Sequence, residues 1–303
     1  MQLDIFEHSC DVMLRNDVLQ ALEHLDARSA CASKQALALA YPCDDALPAL
    51  SRLIEATTAL VGQTEQPTAL ADHAALAQAQ AVLTDEVTPA AQSLMEAKQA
   101  RAWLRPFWQN LIRRSAHLPY RADTQAQHAA PMLLHIQDWQ GAQDAVALVA
   151  SWRRIPAPLA WMAQARLNLL GLQASWALLV ELCWLSPQRL EAVVQNAPDA
   201  ILKRLKAQFD AEFEPDAELT ANPNEPDADL AWFPAWVLTE RPQLAPQLAL
   251  AQASTHSAPE QAMRLLLNLL GLERQGRHHD IVVHRKQLRE LHAGLYAAYL
   301  KTR

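Results

Sequence analysis

The chain has only 6 glycines among its 303 residues and few runs of valine, isoleucine or threonine, which leaves little material for phosphate-cradling loops or β-strands. Cysteine is equally sparse. Cys10, Cys31, Cys43 and Cys183 form no Cys-x-x-Cys pair, and free, buried thiols are expected rather than disulfides or a metal site. A surplus of cations is missing too: 26 Lys and Arg face 33 Asp and Glu, a formal net charge of −7, which argues against a global cationic surface for nucleic acid. No uninterrupted apolar run is long enough to cross a bilayer. The most apolar region, residues 157 to 185, is broken by Gln164, Arg166, Asn168, Gln173 and Glu181. The opening residues Met1, Gln2, Leu3 and Asp4 do not lead from a basic segment into an apolar one, so no secretory leader is expected and the reading is cytoplasmic. The glycine-rich nucleotide motifs, Gly-x-Ser-x-Gly and His-Glu-x-x-His are all absent.

What the chain has in abundance is Ala, Leu, Gln and Glu, which lose little rotamer freedom in a helix. With 51% hydrophobic residues it can bury a substantial core, and an all-α fold is expected. Three windows of 18 residues share a layout: Leu25 to Pro42, Trp139 to Pro156 and Leu170 to Pro187 each run from a turn-like start to a proline. Within them Ala30 and Leu37, then Ala145, Leu148 and Trp152, then Trp176, Leu179 and Cys183 recur at helix-face spacing. Proline ends one helix and opens the next, since it lacks an amide donor yet suits a first turn. The hexapeptide Leu167-Asn168-Leu169-Leu170-Gly171-Leu172 recurs unchanged as Leu267 to Leu272, 100 residues later. Each copy reaches a glycine suited to a helix C-terminus, and three units of about 33 residues would give that offset.

These features resemble degenerate tetratricopeptide repeats over residues 16 to 62 and 132 to 209, with a further unit at 259 to 300. In this chain Trp161 to Pro187 is shorter than the family spacing, and Ala163 and Ala165 stand where a glycine is expected. The resemblance implies stacked antiparallel helical hairpins, an α-solenoid that binds a peptide or protein. Residues 67 to 84 and 88 to 116 read as two further helices capped by Thr68 and Thr88, the second broken at Pro106. The polar stretch between Leu118 and Pro131 is read as dividing an N-terminal part, 1 to 118, from a C-terminal part, 132 to 303, the alternative being one continuous domain. Residues 210 to 229 carry eight carboxylates, Pro215, Pro223 and Pro226 and no base, so a nonhelical loop is expected there. After it come Leu230 to Leu238, Pro242 to Ala253, Pro259 to Leu272 and Asp280 to Leu300, the last with Ile281, Leu288, Leu291, Leu295 and Tyr299 on one stripe.

Four sets of residues are candidates for recognition. Gln2-Leu3-Asp4-Ile5-Phe6 resembles the pentapeptide by which bacterial replication and repair proteins bind the sliding clamp. The resemblance implies a Gln at a pocket rim, with Leu3, Ile5 and Phe6 as apolar anchors. The alternative is that Leu3 and Phe6 cover the first hairpin. The densest basic stretch holds Arg274, Arg277, His278, His279, His284, Arg285, Lys286 and Arg289, either a solvated helix end docking on the acidic loop or a surface for an anion or nucleic acid. Metal is not expected, because ring pairs at i and i+1 point apart on a helix. Arg113, Arg114, His117, Tyr120 and Arg121 read as a solvated helix end. Of nine tryptophans most are expected between helices, with Trp232 and Trp236, beside Pro234, the pair expected at a partner-binding surface. Asp44-Asp45 and Asp85-Glu86 read as helix-start carboxylates rather than catalytic pairs. Taken together the sequence points to a noncatalytic, bacterial-type cytoplasmic adaptor for an unknown protein or peptide, without a cofactor. The alternatives are a clamp-tethered accessory factor of DNA replication or repair, and a helical enzyme without a recognisable motif.

Overall fold

The computed structural model describes residues 3–65, 68–213, 228–252 and 256–302; the side chains of residues 3–9, Glu65, Ala228 and Asp229 also stand outside that description. Every regular element among the described residues is helical, and most helices pack against their neighbours in sequence. Contacts divide the chain into two units, Met1–Gln137 and Asp138–Arg303.

The first unit contains α1 (Leu3–Glu23), α2 (Ala27–Ala40), α3 (Leu47–Glu65), α4 (His73–Ala81), α5 (Thr88–Leu94), α6 (Ala97–Ser115) and α7 (Ala129–His135). Val18 and Leu22 of α1, one turn apart, are fully buried, as are Ala30 and Leu37 of α2. Between α2 and α3, Arg15 donates to Asp44 at 2.8 Å while Asp44 accepts from the Ala46 amide at 2.8 Å, so this carboxylate holds the entry to α3 as its position suggests. Asp85 and Glu86 do not start a helix. They sit in a π-helical turn, Val82–Val87, that joins α4 to α5 without a break. Thr88 closes that widened turn by donating to Leu83 O, five residues back, and therefore caps nothing; α4 is capped by Asp72, which accepts from Ala75 N–H. Nor does Pro106 break α6. The proline forgoes one donor, but Trp103, Phe107 and Leu111 are buried along the same face, and their packing outweighs the lost bond. The stretch from 119 to 131 belongs to this unit and is not the boundary, because His73 Nε2 bonds Pro119 O and Gln80 Nε2 donates to Ala126 O, tying it to α4.

The second unit contains α8 (Trp139–Ala147), α9 (Pro156–Leu170), α10 (Leu172–Leu185), α11 (Pro187–Gln195), α12 (Ala200–Glu212), α13 (Phe233–Glu240), α14 (Ala245–Leu248), α15 (Ala258–Gln275), α16 (His278–Leu291) and α17 (Ala293–Lys301). Pro156 and Pro187 open α9 and α11, and Trp176, Leu179 and Cys183 of α10 are buried, as expected of the third window. The second window differs. Its helix stops at Ala147 and the buried stripe is Ala142, Val146 and Val149, with Leu148 88% exposed, because Ser151 turns into the left-handed region at φ 55°. The two copies of the hexapeptide also differ. Gly171, at φ 79°, ends α9 and lets α10 fold back on it, whereas Gly271 lies inside α15. There the stop is Gly276, at φ 67°, where Arg277 N–H reaches Leu272 O at 3.1 Å. The final stripe is buried at Ile281, Leu288, Leu295 and Tyr299, but its helix is split at His292, whose Nδ1 caps α17 by accepting from Leu295 N–H.

Of the acidic stretch expected as a loop, Asp210 to Glu212 complete α12 and residues 228 and 229 begin a short 3₁₀ turn; 214 to 227 lie outside the described residues. Burial of α13 is complete from Phe233 to Thr239, since the helix packs on both α15 and α17 and has no face left for solvent. A buried ion pair fastens this unit. Arg153 donates from Nε and Nη2 to the two oxygens of Glu181 at 2.5 Å each, and the Gln252 amide donates to Oε1 at 2.7 Å. Glu181 is only 3% exposed.

Two stability measurements follow from these features. Arg153→Ala strands a buried carboxylate and is expected to lower the unfolding free energy by about 3 kcal/mol in urea titration; a loss under half of that would show the pair to be replaceable by water. Ser151→Gly relieves a left-handed backbone at an exposed site and is expected to raise stability by about 0.5–1 kcal/mol, with no change in the far-ultraviolet circular dichroism.

Candidate functional site

Helix α6 presents two faces. On one, Lys98, Arg101, Arg105 and Trp108 follow one another at three- and four-residue steps, so they form a stripe along the rod. On the other, Trp103, Phe107 and Leu111 enter the core. The charged stripe forms a wall of a cleft of about 530 Å³, completed by Thr88 and Gln92 of α5 and by His135, Ile136 and Gln137 at the end of α7. No carboxylate lines it. Lys98, Arg101 and Arg105 form no ion pair or side-chain hydrogen bond among the described residues, whereas most other arginines of this unit are engaged with carboxylates or carbonyls.

The floor of the cleft is aromatic. Trp108 is 6% exposed and its ring lies 4.8 Å from that of His135, tilted by 57°. The indole Nε1 of Trp108 is buried and has no acceptor among the described residues. Burial first, and repulsion from Arg101 second, hold the His135 imidazole below its ordinary pKa. Gln137 closes α7 at φ 60°, a left-handed conformation that a residue with a Cβ seldom adopts. Three cations, two side-chain amides, an aromatic floor and no acid make a cleft suited to a ligand with more than one negative charge and some apolar surface.

The residues singled out from the sequence are placed otherwise. Gln2 lies outside the described residues; Leu3, Ile5 and Phe6 belong to the first turns of α1, and their side chains are not described. Trp232 and Trp236 are not exposed: they are 7% and 2% accessible, packed against His292 and Phe209, because α13 is enclosed on all sides. The basic stretch is partly neutralised by its own neighbours. Arg277 pairs with Asp280 at 2.5 Å, Lys286 lies 3.8 Å from Glu290, and Arg285 donates to Glu273 and to the Tyr299 hydroxyl, both at 3.2 Å. Arg274, His278, His279 and Arg289 are exposed, and His279 and Arg289 stand about 15 Å apart along α16 at the helical rise. The stretch is dense in sequence and dispersed in space. Arg113, Arg114 and Arg121 close the end of α6 and its following turn, with Arg114 Nε donating to Thr68 O and Arg121 paired with Asp123.

Cys183 alone of the four cysteines is buried, its thiol donating to Leu230 O and its pKa pushed up by burial; Cys10, Cys31 and Cys43 are exposed, contrary to the expectation of buried thiols. Those three sit on α1, α2 and the following turn, on surfaces that short apolar stripes leave open. Among the described residues no group of three His, Cys, Asp or Glu side chains converges as metal ligands, and no helix is long and apolar enough to cross a membrane. Comparison of the chain with protein-family models, with curated proteins and with solved structures gives no match.

The lowered His135 pKa has a readable sign. The neutral ring contributes stability above the ordinary imidazole pKa, and that contribution is lost as pH falls through the lowered value. An anion in the cleft opposes the shift by favouring the imidazolium. Sulfate affinity measured by calorimetry is therefore expected to rise several-fold between about pH 8 and about pH 6, and His135→Gln is expected to flatten the rise. An identical slope in both proteins would detach His135 from the cleft.

Proposed function

We propose that this chain is a noncatalytic helical-repeat adaptor, tetratricopeptide-like and cytoplasmic, that holds an acidic peptide segment of a partner protein in the cleft along α6. The observation that carries the reading is the row Lys98, Arg101 and Arg105, unpaired in a chain whose acids outnumber its bases. Cations left without counter-charges inside a concave surface bind anions more strongly than scattered surface charges do, because the low-dielectric walls focus the field. Arginine suits carboxylates through its paired N–H groups. Gln92, Gln137 and Thr88 add donors and acceptors for a peptide backbone, and Trp108 with Ile136 adds an apolar floor for a side chain between the acids.

An acidic peptide is favoured over nucleic acid because the cleft offers only three cations, few for a backbone that is held through many phosphate contacts. The clamp-tethered reading through Gln2 to Phe6 gains no specific observation, and neither does the enzymatic one.

The test uses a fluorescein-labelled peptide rich in Asp and Glu with one Leu, followed by anisotropy at low and moderate salt. The intact protein is expected to bind it in the micromolar range, with Arg101→Ala and Arg105→Ala each weakening binding about tenfold and Arg105→Glu abolishing it. Preference for a single-stranded oligonucleotide would transfer the cleft to nucleic acid. Absence of binding by either probe would remove the proposed function.

A further inference from the structure

The opposite side of α6 carries a second, chemically different recess. It lies between α3, the π-helical turn after α4, and α6, with a volume of about 220 Å³. Its walls are mostly apolar: Leu60 from α3, Leu83 and Val87 from the widened turn, Phe107 and Leu111 from α6; Gln63 and Arg114, whose Nε donates to Thr68 O, complete the lining. Ala56, Ala59 and Ala79 leave the space that larger side chains would fill, and Val82, 45% exposed, stands at the mouth.

One buried polar group lines this wall. Asn110 is 4% exposed, and its side-chain amide makes no hydrogen bond among the described residues. A carboxamide offers two donors and an acceptor, and in native proteins nearly every such buried group finds a partner. Asn110 is therefore a polar residue kept at a largely apolar wall, its amide open to whatever fills the recess. The adjacent π turn is a second departure from regular structure. Its i→i+5 geometry widens the helix where Leu83 and Val87 meet the recess, and such turns occur often at functional sites. The backbone has accepted a less regular turn, and the helix a polar side chain, at the same place.

We propose that this recess binds a small single-ring molecule bearing one hydrogen-bonding group, of the phenol class, with the ring against Phe107, Leu111 and Val87 and the polar group on the Asn110 amide. The size follows from the volume: an apolar cavity of about 150 Å³ takes up benzene, so the recess has room for one ring with a substituent. The chemistry follows from the walls, which are mostly apolar and carry one buried polar side chain, Asn110, beside the half-buried Gln63 and Arg114. This site is independent of the cationic cleft, whose residues lie on the other face of α6.

The experiment measures binding of p-cresol and of toluene to the full chain by ligand-observed NMR at millimolar concentrations, in three proteins. The native chain is expected to bind p-cresol saturably and to prefer it to toluene. Asn110→Leu, close in volume and without polar atoms, is expected to weaken p-cresol about tenfold, the worth of one hydrogen bond, while leaving toluene unchanged or tighter. Ala59→Phe, at an exposed wall position, is expected to exclude both ligands while the circular dichroism spectrum is retained. No saturable binding by the native chain would mean that the recess holds water only and would overturn the proposal. So would p-cresol binding that survives Ala59→Phe, or a cresol-to-toluene ratio that Asn110→Leu leaves unmoved.

Discussion

The indole N–H of Trp103 donates to Leu22 O at 2.9 Å, across 81 residues of sequence, and this bond together with the burial of the ring fixes the rotation of α6 about its own axis. The same carbonyl also accepts from Leu25 N–H at 2.9 Å, so both of its lone pairs are used at the turn that joins α1 to α2. A helix presents its side chains at fixed angles, and once Trp103 is docked the remaining positions have no freedom. Phe107 and Leu111 must enter the core, Asn110 must meet the recess behind α3, and Lys98, Arg101 and Arg105 must face the cleft. Both candidate sites of the first unit are thus consequences of one orientation.

The second unit solves a different problem. Its most enclosed helix, α13, has no polar face, and the groups that hold its surroundings in place are ionic and partly buried: Glu181 with Arg153 and the Gln252 backbone amide, and Glu273 with Arg285 and the Tyr299 hydroxyl. Such pairs contribute less net stability than apolar packing would, but each demands a particular geometry of its partners. Glu181 ties the segment before α9 to α10 and to the turn after α14, three places that apolar contacts alone would let slide. The basic stretch of the sequence is drawn into the same work, for Arg285 serves Glu273 and Tyr299.

The helical class was legible because apolar residues fall at helical intervals almost everywhere; the window ending at Pro187 could be read residue by residue, and of the stripe ending in Tyr299 all but Leu291 are buried, although its helix is split at His292. The exceptions are instructive. Leu167 to Leu172 and Leu267 to Leu272 are identical in sequence, yet one ends a helix and the other continues it; the choice is made by what each must pack against, which local propensity does not encode. Thr88 reads as a cap in isolation and serves a π turn in the folded chain. Trp232 and Trp236 border an acidic stretch, but burial is decided by the helices that surround α13. The α6 stripe escaped attention because its cations are separated by three and four residues, whereas the eye is drawn to Arg274 to Arg289, where charges are adjacent. Spacing along a helix face, not density along the chain, determines which charges converge, and Lys98, Arg101 and Arg105 satisfy that rule.

The uneven placement of the thiols gives each unit its own chemical clock. Cys10, Cys31 and Cys43 stand open on the first unit, while Cys183 is sealed beneath Leu230 in the second. An alkylating dye therefore marks the first unit in the native state at once, and reaches the second only when that unit opens, so the slow phase of labelling times the breathing of one unit separately from the other.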